Sequence, residues 1–328
     1  MQNLFRRLFL LGSLILLSDG CQSTESSVKY VFKASMLVNE NHTWYKSFVY
    51  FGTLLHERSD GQIKLEVYPS EQLAKEVEAI RLIQAGVIDM TISAATLANW
   101  EEILTFSDMP FLLRDAQAMK KLIESPIGEE IEQVMIQKMG LRPVGYFQRG
   151  ERHLTSNRPI KHPDDLKGLI IRVPNAPSYV TAWQSMGAKP TPMAFSEVFT
   201  ALQQGTIEAQ ENPFAMIKNA GFSEVQKYLN LTGHVISWGY PLVGEKQFQM
   251  LPDDLKVIFL QAAKEMQTYE HRLFLENESK VQDELKAAGM IFVKVDKNAF
   301  IENGEKAVYE SLSPEMQDVY DKIKKITR

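Results

Sequence analysis

Ile170-Ile171-Arg172-Val173-Pro174-Asn175 and, further along, Gln210-Glu211-Asn212-Pro213 lie in the stretch on which the reading of this chain turns, residues 149–213. That stretch opens with Arg149-Gly150-Glu151-Arg152 and continues through Thr155-Ser156-Asn157-Arg158-Pro159-Ile160. Residues 169–173 predict a short apolar strand that carries one charge, Arg172, and stops at Pro174. A guanidinium in such a place needs an anionic partner, and its planar fork fits a carboxylate through two parallel hydrogen bonds. Strand ends of open α/β sheets are also where ligands collect. Arg152 is expected in the loop after a strand at 144–147, within reach of the same cleft. The competing reading of both arginines is a structural ion pair with one of the 41 acids. Asn212 follows a strand expected at 206–210 and precedes Pro213. Its amide can donate and accept toward a carboxylate or hydroxyl, or serve only the turn. Phe195, beside a helix expected to start at Ser196, either covers a ligand's carbon skeleton or packs in the core. His42, Trp44, Trp238 and Tyr240 are further cleft candidates.

Working outward, two α/β units appear. Before the stretch, strands are predicted at 30–34, 63–67 and 88–93, with helices at 44–58 and around Leu73, Val77 and Ile80 between them. Residues 115–139 read as helical. Within the stretch, strand 169–173, helix 178–186, the helix from Ser196 to Gln204 and strand 206–210 repeat the alternation that marks parallel sheets with helical crossovers. The repetition reaches single residues. Ile83-Gln84-Ala85-Gly86-Val87-Ile88-Asp89 echoes Leu202-Gln203-Gln204-Gly205-Thr206-Ile207-Glu208, each a helix end, a glycine cap and an acid at a strand entry. The echo suggests two lobes of related architecture facing each other. Residues 252–288 contain no interior glycine or proline after Pro252. A continuous helix there is on the order of 50–55 Å long, which exceeds one lobe, so it would span both; two helices meeting at a kink are the alternative.

Composition narrows the function. A net charge of −5 is wrong for nucleic acid, which demands a basic face. No metalloprotease, nucleophile-elbow, Walker or dinucleotide motif occurs, and the six histidines lack metal-ligand spacing. Neither a metal, a cofactor nor catalysis is therefore expected. Arg6 and Arg7 before the apolar run 8–17 form a signal peptide too short to span a membrane comfortably. It leads to Cys21, the only cysteine, in a segment that resembles a bacterial lipobox, whose cysteine is lipidated.

Taken together with Asp165-Leu166-Lys167-Gly168-Leu169 and Pro192-Met193-Ala194-Phe195-Ser196-Glu197-Val198, the quoted motifs resemble those of the solute-binding proteins of TRAP transporters (DctP/SiaP-like). The resemblance covers essentially the mature chain. It implies an α/β, two-lobed periplasmic binding protein fold with a long helix spanning both lobes. It also implies a receptor, not an enzyme, that closes on an organic acid and delivers it to a sodium-driven membrane permease. By the same match Arg172 forms the main salt bridge to the ligand carboxylate, Arg152 assists, Asn212 binds and Phe195 covers the ligand. Leu37 and Ala94 stand where sialate-binding relatives hold polar groups, so a uronate, an aldonate or a C4-dicarboxylate is expected instead of sialic acid. A ligand-binding subunit of a membrane sensor is the alternative role. The expected lobes are 22–149 with 238–277, and 150–237 with 278–328, hinged near 149–150 and 237–238. Residues 1–21 form the signal segment.

Overall fold

The computed structural model describes residues 28–327; the expected signal segment, residues 1–21, lies outside the described residues, Cys21 included. In chain order the strands are β1 (Tyr30–Ser35), β2 (Ile63–Tyr68), β3 (Met90–Ser93), β4 (Leu141–Pro143), β5 (Phe147–Ser156), β6 (Ile170–Val173), β7 (Lys189–Pro192), β8 (Ala209–Pro213), β9 (Tyr228–Gly244) and β10 (Ile291–Val293). They pair in the order β2-β1-β3-β9-β5-β8-β6-β7, with β4 and β10 also on β9. β1, β2 and β3 are parallel, as are β6, β7 and β8. Each triplet is thus a parallel unit, as the alternation predicts. What the periodicity does not show is β9. This 17-residue strand runs antiparallel to β3 at one end and to β5 at the other, joining the two units.

The seven-residue echo has a structural basis. Gly86 and Gly205 both adopt positive φ after their helices, where a side chain would be strained. The acids that follow do the same work in each unit. Asp89 accepts the backbone N–H of Lys33 within β1, at 2.7 Å. Glu208 accepts that of Ile170 in β6, at 2.9 Å.

The helix Thr43–Arg58 buries Phe48, Phe51 and Leu55 on one face, each worth about 1.5–3 kcal/mol. The region 115–139 is two helices, Ala116–Ile123 and Pro126–Met139, because Ser125 caps a fresh start with Pro126 in its first turn. Helix Asp253–Ala287 is continuous over 35 residues, with Asp253 and Asp254 favourably placed at the positive end of its dipole. Its early residues, Leu255 to Met266, join the core under β1 and helix Thr43–Arg58. Val281 and Leu285 join a second core with Phe214, Ile217 and Leu229. It therefore spans both units. The last helix, Pro314–Thr327, packs on Ala116–Ile123. Among the described residues no helix is long and apolar enough to cross a membrane.

Where β5 and β9 cross between the units, the ladder breaks. Gln148 pairs with Trp238 and Glu151 with Ile236, so Arg149 and Gly150 together oppose Ser237. This is a β-bulge, with Gly150 at φ +77°. The long helix fastens the approach to it: Gln267 Oε1 accepts from Tyr146 N at 2.9 Å, and Glu270 Oε2 from Gln148 N at 3.2 Å.

Candidate functional site

Side chains from β5, β6, β8, the bulge and the start of helix Glu76–Gln84 meet around one cavity. It encloses about 390 Å³ of space between atoms, part of it open to solvent. Leu37, Ile92 and Ala94 make one wall largely apolar, with Glu76 as its charged group. Arg152, Arg172, Phe195 and Asn212 stand opposite, and Arg149 projects from the bulge.

The three arginines differ in what already holds them. Arg152 is fully committed. Its Nε and Nη2 grip Glu211 at 2.6 and 2.7 Å, and Nη2 also reaches the Glu211 carbonyl at 2.9 Å. Burial pushes the Glu211 carboxyl up, but Arg152 and His234 beside it win and hold it down at about 2. His234 Nε2 lies 2.9 Å from the same carboxylate. Arg149 is half committed, with Nη1 on Asp108 at 2.6 Å and its guanidinium 5.6 Å from the Trp44 ring. Asp108 also accepts from Tyr179 Oη at 2.6 Å.

Arg172 has no acid. It is 4% exposed, and its Nε and Nη2 both donate to the Met193 carbonyl, at 3.0 and 2.6 Å. Among the described residues it makes no ion pair. Burial without a counter-charge depresses the guanidinium to about 10, even though Glu211 pulls the other way. Its charge is 6.0 Å from the Phe195 ring. A ligand carboxylate would supply the missing anion, and with it the partner that a buried charge requires.

Polar groups for the rest of a ligand are also present. Glu76 Oε1 accepts from Ser93 Oγ at 2.7 Å and Thr96 Oγ1 at 2.9 Å, and burial raises its carboxyl. Asn212 donates to Gln210 Oε1 at 2.7 Å, which fixes its amide at the cavity edge. Bonds bridge the two units around the opening: Lys75 to Glu197 at 2.6 Å, Asn99 Nδ2 to the Asn175 carbonyl at 2.6 Å, and Asn39 Nδ2 to the Asn219 carbonyl at 2.9 Å. These contacts describe a closed cleft.

Several sequence expectations need correction. Arg152 lies inside β5, not in a loop, because the strand begins at Phe147 and continues through the bulge. Asn212 is within β8, which spans Ala209–Pro213, not after a strand. Ser196 does not cap a helix; the turn Phe195–Glu197 and the helix Val198–Gln203 have no side-chain cap. Trp238 and Tyr240 are buried in the hydrophobic core, packed edge-on at 5.7 Å, and do not line the cavity. His42 caps helix Thr43–Arg58 by accepting Trp44 N at 3.2 Å, and it lines a separate hollow at the rim. Burial depresses its imidazole to about 3, so it is neutral there. Arg172, Arg152, Asn212, Phe195 and Trp44 are brought together. Glu76 and Arg149 were not singled out as ligand contacts: Glu76 sits in an ordinary helix start, and only the bulge turns Arg149 inward. Leu37 and Ala94 both line the cavity. Among the described residues no cluster could hold a metal ion.

Residues 34–322 match the family described as bacterial extracellular solute-binding protein, family 7. A solute-binding protein of Roseobacter denitrificans is 39% identical over 320 residues, covering 98% of each chain. The crystal structure of a TRAP periplasmic solute-binding protein from the same species, with bound L-galactonate, has a TM-score of 0.88 at 41% identity. It covers 90% of this chain and 99% of that one. A Haemophilus influenzae counterpart with bound L-gulonate gives 0.85 at 32% identity, over 91% and 100%. The 2,3-diketo-L-gulonate-binding periplasmic protein of Escherichia coli is 34% identical over 253 residues, covering 76% of this chain and 77% of that one.

Proposed function

Because the chain belongs to family 7 of the bacterial extracellular solute-binding proteins, we propose that it is a TRAP-transporter receptor for a sugar acid, an aldonate or uronate, held between its two lobes. The observation that carries this reading is Arg172, a buried guanidinium with no acid, lining the cavity between the two units. Arg172 anchors the carboxylate, Phe195 covers the carbon chain, and Asn212 and Glu76 take hydroxyl groups. Arg152 shapes the wall through Glu211. The bound L-galactonate and L-gulonate of the related structures support this ligand class. A C4-dicarboxylate fits less well. It brings two charges, and of the three arginines lining the cavity only Arg172 lacks an acidic partner. Leu37 and Ala94 line the cavity as apolar residues where the resemblance places polar groups in sialate-binding relatives, which counts against sialic acid.

In this reading the lobes, 22–149 with 238–277 and 150–237 with 278–328, close about the bulge, and the ligand favours the closed form by binding it better. The protein works outside the cytoplasm after removal of its signal peptide, with Cys21 as a lipid anchor and a sodium-coupled permease as partner. No chemical step is involved.

The test is a thermal-shift and calorimetry panel of aldonates, uronates, C4-dicarboxylates and sialic acid. One sugar acid is expected to bind, and at 1,000 times its Kd it adds about 4 kcal/mol of stability. Binding of a dicarboxylate alone, or turnover of a bound acid, would overturn the reading.

A further inference from the structure

We propose that Arg149 is a second ligand-reading arginine, which takes neutral oxygens of the sugar-acid chain through the guanidinium edge that Asp108 leaves unused. The inference rests on the receptor reading above and adds a specificity residue to it.

The bulge makes this possible. In an unbroken antiparallel ladder Arg149 would sit opposite a residue of β9; here it shares Ser237 with Gly150, and it lines the cavity. Bulges re-aim side chains in this way beside functional sites. The Arg149 side chain is 8% exposed, and Nη1 meets Asp108. Nε is buried and has no hydrogen-bond partner among the described residues. A buried donor left without a partner costs stability, so an unpaired Nε on a side chain that lines the cavity leaves a donor for which an acceptor is missing. The indole of Trp44, 5.6 Å away, helps fix the guanidinium plane. Trp44 is itself tied down by Nε1 donating to the Gln148 carbonyl at 3.3 Å.

Charge decides which acceptor fits. Asp108 already neutralises Arg149, and it is held in place by Tyr179 Oη and by the backbone N–H of Ala95 at 3.2 Å. Arg149 therefore offers direction without net charge, which suits hydroxyl or carbonyl oxygens. Arg172 offers the charge. A diacid of equal length would place its second carboxylate where no cation is free. The pair of arginines thus selects a polyhydroxy acid with one carboxylate.

Arg149→Lys keeps the charge beside Asp108 and removes the Nε/Nη2 edge. Asp108→Asn removes the neutralising charge and keeps the shape. Calorimetry on the mature chain would use L-galactonate and galactarate, the latter carrying a second carboxylate at the far end. Arg149→Lys is expected to weaken L-galactonate at least about tenfold, as loss of hydrogen bonds from a charged donor implies. Asp108→Asn is expected to shift the galactarate-to-galactonate affinity ratio toward the diacid. That ratio does not depend on the fraction of folded protein. A smaller loss in Arg149→Lys, or an unchanged ratio in Asp108→Asn, overturns the assignment while wild-type binding leaves the receptor reading standing. Failure of the wild type to bind any sugar acid overturns both.

Discussion

Replacing Arg172 with methionine separates a binding arginine from a structural one, because the two roles give effects of different size on the empty protein. Breaking a buried ion pair by removing one partner typically costs about 3–5 kcal/mol. Arg172 has no such pair to break. Its loss frees only the Met193 carbonyl, worth roughly 1–2 kcal/mol, and it removes a desolvated cation whose burial opposes folding. The two terms act in opposite directions, so ligand-free Arg172→Met is expected to melt within a few degrees of wild type. Arg152→Met is the contrast. It strands the Glu211 carboxylate in the core, and at about 2.1 cal/mol/K per residue the loss is on the order of 5–8 °C for a chain of this size. With ligand the order reverses in importance. Arg172→Met should weaken sugar-acid binding by at least about tenfold, since roughly 1.5–3 kcal/mol of charged hydrogen bonding disappears. Differential scanning fluorimetry without ligand and calorimetry with it make the comparison. If ligand-free Arg172→Met melted as low as Arg152→Met, or bound the acid with unchanged Kd, the division of roles between the arginines would be wrong.

Glu211 is held well below its ordinary value, at about 2, so its charge stabilises the fold above the unfolded pKa of about 4.5 and the benefit is lost as pH falls toward 2. Chemical denaturation of Glu211→Gln across that window should show a flatter acid limb than wild type, along with lower stability at neutral pH. Glu270 is the opposite case. Burial raises it to about 8, so the folded state keeps its proton between about pH 4.5 and 8 and stability declines as pH rises through that range. Glu270→Gln, whose Oε1 can still accept from Gln148 N while its NH2 donates to Thr43 Oγ1, should gain in melting temperature at pH 8 and little at pH 5; an equal shift at both would contradict this. Lys75→Ala removes an exposed bond across the cleft. Such pairs contribute about 0.2–1 kcal/mol, so affinity should fall by less than about sixfold, mainly through faster release seen in stopped-flow.

Much of the architecture was legible in the amino-acid order. The seven-residue echo anticipated two related α/β units, and the acids in it turned out to accept backbone N–H groups of neighbouring strands, at Lys33 and Ile170. The long helix was legible from the absence of breakers and from Pro252-Asp253-Asp254 at its start. Those are local signals, set by backbone propensity and by periodic burial. β9 was not legible. A strand buried along nearly its whole length, with polar residues such as Thr232, His234 and Ser237 in its run, shows no alternation. The break at Ser125 was visible only once its cap had formed.

The site divides the same way. The sequence by itself determined that Arg172 sits in an apolar strand before a proline, and the motifs around it marked the family. Tertiary structure alone decided what each arginine is free to do. Arg152 meets Glu211 across 59 positions of chain, and Arg149 meets Asp108 across 41. No residue spacing reveals either partner. A guanidinium with a carboxylate within hydrogen-bond reach spends its charge inside the fold, and one without keeps that charge for another anion. That distance is fixed by how β5, β8 and β9 cross, and not by any neighbour along the chain.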